Sequence, residues 1–298
     1  MDLVAEFKQS FKSSNILIKL IYVNVAIFLF VNILRVLNFL FAIDGLDLFA
    51  VNWLAVPASF IHLLIRPWTL ITYMFLHEEI MHILFNMLWL FWFGAIFLEF
   101  LKPKQLLSVY ILGGLSGGLL FIASFNIFPV FHGTLNESVA LGASASVMAI
   151  VIAISAFHPD YEMNLIIIGP VKIKWIAVIS VILDVISIDR SNPGGHIAHL
   201  GGAIFGFYFA SRLKAGHDIT FGFSNFLDKL FSVFDRRSRM RVTYRNPDVK
   251  KMSDMEFNAN KKVTQEQIDK ILDKISKSGY GSLSKEEKAI LFDRSKKL

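Results

Sequence analysis

The chain is expected to be an all-α polytopic membrane protein, a bundle of six transmembrane helices followed by a small helical cytoplasmic tail. Three observations carry that expectation. Hydrophobic residues make up 54% of the 298 residues and charged residues only 18%, against about 25% in a soluble domain. The charge is uneven, because 20 of the 30 Lys and Arg and 12 of the 24 Asp and Glu lie from Arg212 to Leu298, so the two parts suit different solvents. The remainder holds six apolar stretches, most of them near the roughly 20 residues that a helix needs to cross the hydrocarbon.

In order, the stretches run Ile16 to Leu37, Ile80 to Phe100, Leu106 to Phe125, Gly142 to Phe157, Val171 to Ser187 and Gly195 to Leu213, the fourth and fifth being short. Lys8, Lys12 and Lys19 lead into the first, which is far longer than a signal-peptide core and lacks a small-x-small cleavage site. It is expected to stay as a span. Orientation follows from Lys and Arg. Lys8, Lys12, Lys102, Lys104 and everything from Arg212 onward fall on one side, whereas the opposite loops hold only Arg35, Arg66 and Arg190. That bias predicts both termini in the cytoplasm, and the protein is expected in the plasma (inner) membrane. The loop from Asn38 to Leu76 contains Phe49, Trp53, Phe60, Pro67 and Trp68. Unpaired backbone cannot face lipid, so this loop is expected to carry short helices lying in the membrane interface.

Two domains are expected, a membrane domain over 1–213 and a basic tail over 214–298. In the tail, Phe221 to Phe234 reads as an amphipathic surface helix beside Arg236, Arg237, Arg239 and Arg241, a pattern suited to anionic lipid. Thr264-x-x-Gln267 and Ser284-x-x-Glu287 have capping-box form and predict a small helix pair split at Gly279 and Gly281. The basic charge is diffuse and interleaved with acids, which argues against a nucleic-acid partner.

Ionisable and amide groups inside spans are costly, so each is a functional candidate. His82 and Asn86 are four residues apart in the second stretch and share a helix face. Ser144 opens the fourth stretch and His196 the sixth. All three stretches enter from the outer side, so four polar groups from three helices form one layer just beneath that surface. A serine hydroxyl becomes a nucleophile when a neighbouring imidazole takes its proton. Gly195, Ala198, Gly202 and Gly206 make a small-residue stripe that lets the sixth helix approach the fourth at Gly142 and Ala143. The helix start at Ser144 offers unpaired N–H groups to an oxyanion, and His82 and Asn86 can add side-chain donors. Asp184 is read as a solvated or locally paired group, His199 as an interhelical structural bond, His77 as a bond within the first loop, and Ser146 as bonded to a carbonyl one turn back.

These motifs resemble the rhomboid family of intramembrane serine proteases across Ile16 to Leu213. His82-Ile-Leu-Phe-Asn86 is similar to the family's His-x-x-x-Asn motif, Gly142-Ala-Ser144-Ala145 to its Gly-x-Ser-Gly motif, and Gly195-His196-Ile-Ala-His199-Leu-Gly to its sixth-helix histidine motif. The resemblance implies a six-span rhomboid-like bundle and a serine endopeptidase with Ser144 as nucleophile and His196 as general base, a dyad without a third acid. It implies an oxyanion hole made by His82, Asn86 and the Ser144 N–H, and single-span membrane proteins as substrates, cut near the outer face. Two positions depart from the pattern: Ala145 stands for the usual glycine, and Thr69 follows Trp68 where Arg is usual.

Other classes are weaker. The chain contains no cysteine, which excludes thiol nucleophiles and Cys-ligated metal. His77-Glu78-Glu79-Ile80-Met81-His82 imitates the His-Glu-x-x-His zinc motif, but its five-residue spacing turns the two rings about 140° apart on a helix. No cofactor and no metal are expected. The alternative function is an inactive membrane scaffold that binds client transmembrane helices in the same groove.

Overall fold

The computed structural model describes residues 14–42, 46–165, 169–232 and 254–295. The chain divides into two units, Met1–Asp235 and Arg236–Leu298. In the first, helix α1 (Ile16–Phe41) starts where the Asn15 side chain accepts the Ile18 N–H at 3.0 Å, and it stops at Ala42, left-handed at φ 48°. Three short helices follow, α2 (Leu46–Leu54), α3 (Phe60–Ile65) and α4 (Thr69–Thr72), and then α5 (Ile80–Phe100) and α6 (Pro103–Ile127). Proline at the first position of α6 needs no N–H partner, and the Lys102 N–H donates to Gln105 Oε1 at 2.9 Å. The last major helices are α7 (Ser144–Phe157), α8 (Ile173–Ser187) and α9 (Pro193–Lys214), the last capped by the Asn192 side chain, which accepts the Gly195 N–H at 3.1 Å.

Among the described residues, α1, α5 and α6 are long and apolar enough to cross a bilayer. At 14 residues α7 is only about 21 Å long, shorter than the hydrocarbon. It packs against α5, α6, α8 and α9 and is buried along most of its length from Ala145 to Ser155. By contrast α8 buries only Ile173, Ala177 and Asp184 and turns Ile179, Ile182, Leu183 and Val185 outward.

The fold is mostly helical rather than wholly so. Strand β1 (Val56–Pro57) pairs antiparallel with β2 (Val139–Ala140), and β3 (Glu162–Leu165) with β4 (Gly169–Lys172). Strands this short leave no readable alternation in the sequence. The β1–β2 pair fastens the Asn38–Leu76 region to the segment leading into Ser144. The Ala58 N–H donating to Ser138 O at 3.0 Å and the Gly142 N–H donating to Tyr73 O at 2.9 Å reinforce that junction. Thr69, one of the two departures, is fully buried and donates its hydroxyl to Arg66 O at 2.6 Å. The region is held instead by the parallel stack of Trp53 on Trp68, with ring centroids 5.8 Å apart, and by Trp68 Nε1 donating to Trp53 O. Exposed Ile61, Leu64 and Ile65 give α3 an apolar outer face.

Small residues bring the central helices together. A Cβ on Gly202 of α9 would stand 2.0 Å from Ala145 O, so only glycine permits that approach. The Ala145 methyl, the other departure, faces Gly117 of α6, where an added Cβ would stand 2.5 Å from it. The additional carbon on α7 is therefore accommodated by a missing one on α6. Ser146 Oγ, by contrast with its expected back-bond, is buried without a hydrogen-bond partner among the described residues.

Helix α10 (Phe221–Ser232) completes the first unit, with Ser224 bonded to Ser108 at 2.9 Å and Asp228 paired with Lys104. It keeps Phe221, Phe226 and Leu230 exposed. The Arg236–Arg241 cluster lies outside the described residues. The second unit contains α11 (Asp254–Ser278) and α12 (Lys285–Ser295). Ser284 and Glu287 form the reciprocal cap, the Ser284 N–H donating to Glu287 at 2.7 Å and the Glu287 N–H to Ser284 Oγ at 3.2 Å. The other box does not begin a helix: α11 starts ten residues before Thr264, at Asp254, because the charged stretch before the box continues the same helix.

Candidate active site

Ser144 is the first residue of α7, where the leading N–H groups have no acceptor within the helix. The backbone reaches it through Gly142 at φ +120°, a conformation that side chains resist, and an added Cβ there would stand 2.7 Å from His82 Cε1, 2.8 Å from His82 Nε2 and 3.8 Å from Ser144 Oγ. The imidazole of α5 and the hydroxyl of α7 thus flank one bare stretch of backbone. Asn86, one turn beyond His82, is fixed by its Nδ2 donating to His82 O at 2.9 Å.

A cavity of about 810 Å³ opens at this point, and Ser144, His82, Asn86, His199 and Asp184 all line it. His196 does not. Gly202 marks the face of α9 that touches α7, and at 3.6 residues per turn His199 lies about 60° from that direction and His196 about 120°. The imidazole expected beside Ser144 is therefore turned toward α8, and the one expected to be structural faces the cavity. Neither is hydrogen-bonded to Ser144. The signal was present in the sequence, since His199 adjoins the small-residue stripe and His196 stands away from it.

Of the two readings of Asp184, solvated or locally paired, the structure has the second, since the residue is buried at 6% exposure and paired. Its Oδ1 lies 2.8 Å from His196 Nδ1 and 2.8 Å from His199 Nδ1. The three ligand atoms lie within 4.8 Å of one another, close enough for a metal ion.

His77, expected to bond within the first loop, also reaches beyond it. Fully buried just ahead of α5, it accepts the Ala143 N–H at Nε2, 3.3 Å away, and its ring packs edge-on to His82 with centroids 5.1 Å apart. Burial, and then the neighbouring His82, push its pKa down to about 4 from 6.5, which keeps Nε2 free as an acceptor. Between those values the unfolded chain takes up a proton that the folded one refuses. Stability attributable to His77 is thus complete above pH 6.5 and falls by up to about 3 kcal/mol as the pH drops to 4. Thermal unfolding in detergent at pH 7.5 and pH 4.5 checks this: the wild type loses melting temperature on acidification, and His77→Gln shows a smaller loss.

Residues 65–215 match the Rhomboid domain family, and residues 252–297 match a family of unknown function, DUF6576. The chain is 29% identical over 160 residues to RHOMBOID-like protein 12, mitochondrial, of Arabidopsis thaliana, a match covering 51% of this chain and 48% of that protein. It is 28% identical over 148 residues to Presenilin-associated rhomboid-like protein A, mitochondrial, of Danio rerio, covering 49% of this chain and 36% of the relative. The chain thus spans about half or less of the length of these relatives. Both are named mitochondrial, which overturns the plasma-membrane placement with cytoplasmic termini. The physical reason is simple: Lys and Arg asymmetry distinguishes the two sides of a membrane without saying which membrane it is.

Proposed function

We propose that this chain, which belongs to the rhomboid family, is an intramembrane serine endopeptidase that cleaves single-span membrane proteins near one membrane face. In this reading α1, α5, α6, α7, α8 and α9 provide six crossings, residues 1–213 carry the activity, and the tail rests on anionic lipid. Ser144 is the nucleophile and His199, in place of His196, is the general base. The single observation supporting it is the shared cavity, in which a helix-initial serine, the His199 imidazole, His82, Asn86 and Asp184 meet inside an apolar bundle.

The chemistry follows from that grouping. His199 Nε2 takes the Ser144 hydroxyl proton as Oγ bonds to the scissile carbonyl carbon, and the carbonyl electron pair moves to its oxygen. That oxyanion is held by the Ser144 N–H at the helix start, by His82 and by Asn86. The imidazolium then returns its proton to the departing amine, and water hydrolyses the acyl-enzyme by the same steps in reverse roles.

The test is cleavage of a panel of single-span substrates by the purified full chain, with the fragments sequenced. Wild type is expected to cut and Ser144→Ala to bind without cutting. A scaffold binds in both forms and cuts in neither, and that outcome would replace this reading.

A further inference from the structure

Resting on the assignment of His199 as the base, we infer that Asp184 is a positioning residue, which holds the His199 ring so that Nε2 is presented to the cavity shared with Ser144. A carboxylate only accepts hydrogen bonds. With one oxygen 2.8 Å from both Nδ1 atoms, both rings must carry their proton on Nδ1. The opposite edge of His199, with Nε2 unprotonated, is the form that a general base needs, and the tautomer is imposed from α8, outside the helix that carries the imidazole.

The surroundings argue that this carboxylate is there for the rings. It lies near the end of a helix whose exposed positions from Val178 to Ile186 are all apolar, and it is nearly enclosed. An ionised carboxylate in such a place is costly unless donors hold it. His196 supplies the second donor and so fixes the acid that fixes the base. Asp184 Oδ2 has no partner among the described residues, leaving one oxygen free while the other serves both rings. When His199 takes the Ser144 proton its positive charge forms against this negative one; the proton stays on the imidazole, and the carboxylate only stabilises it.

The experiment compares wild type and Asp184→Asn, full length in detergent, by steady-state cleavage, by labelling with a fluorophosphonate probe, and by 15N NMR of labelled histidines. The variant is expected to lose about 10²-fold in kcat with KM and melting temperature little changed. The His199 signal is expected to be Nδ1-protonated in wild type and to leave that form in the variant. A kcat within twofold of wild type, a loss explained by a lower melting temperature, or an Nε2-protonated His199 in wild type would each overturn the inference. So would stoichiometric zinc on the purified protein whose removal by a chelator changes activity, since the three side chains would then be ligands. Failure of the protease reading looks different: wild-type Ser144 is not labelled at all, and the tautomer measurement still decides the role of Asp184.

Discussion

Replacing His199 with Ala is expected to lower cleavage and fluorophosphonate labelling of Ser144 by about 10⁴-fold or more, whereas replacing His196 with Ala is expected to cost tenfold or less. The difference in magnitude comes from where each ring stands. A hydroxyl without a base is a poor nucleophile, and members of a nucleophile–base pair act as one unit, so losing either removes nearly the whole contribution. His199 lines the cavity with Ser144, whereas His196 is absent from it and reaches the chemistry only through the carboxylate it shares. His196→Ala leaves Asp184 one donor short but leaves its bond to His199 in place. Labelling rates of the two variants against Ser144→Ala check this. The reverse ranking, with His196→Ala inert and His199→Ala nearly normal, would return the base to the position expected from the motif alone.

That pair of residues shows how far the sequence carries. Helices of the expected character could be read from apolar runs, and the serine, the α5 histidine and the asparagine could be found because polar groups are expensive where those runs place them. Which of two histidines three residues apart shares the cavity with the serine depends on the roll of α9 about its axis. That roll is set by Gly202 pressed onto Ala145 O, a contact between helices 57 positions apart in the chain, and its trace in the sequence is the small-residue stripe that His199 adjoins. The burial of Asp184 is hidden for a related reason. Its place near the end of an apolar run suggests solvent, and only the packing of α8 beside α9 encloses it. The role of His77 is hidden because its partner, the Ala143 N–H, arrives through the β1–β2 pairing, and strands of two residues are invisible to periodicity.

Gly142→Ala is expected to reduce kcat by about 10² to 10³ with KM nearly unchanged, as large as the removal of one oxyanion donor. Two effects of one methyl group combine. The backbone at φ +120° is strained for any side chain, at a cost of about 1–3 kcal/mol. The new Cβ would also stand 2.7 Å from His82, and that ring cannot simply retreat, because His77 packs against its edge. Either the ring turns out of the cavity or the Ser144 N–H shifts, and each removes a donor from the developing charge. A double-mutant cycle separates the two. If the ring moves, His82→Ala made in the Gly142→Ala background costs far less than in wild type, because its donor is already lost. If the two losses multiply independently, His82 kept its place and the backbone N–H is what moved. Wild-type kcat in Gly142→Ala would instead show that the close approach at this position serves packing alone and that the oxyanion is held elsewhere.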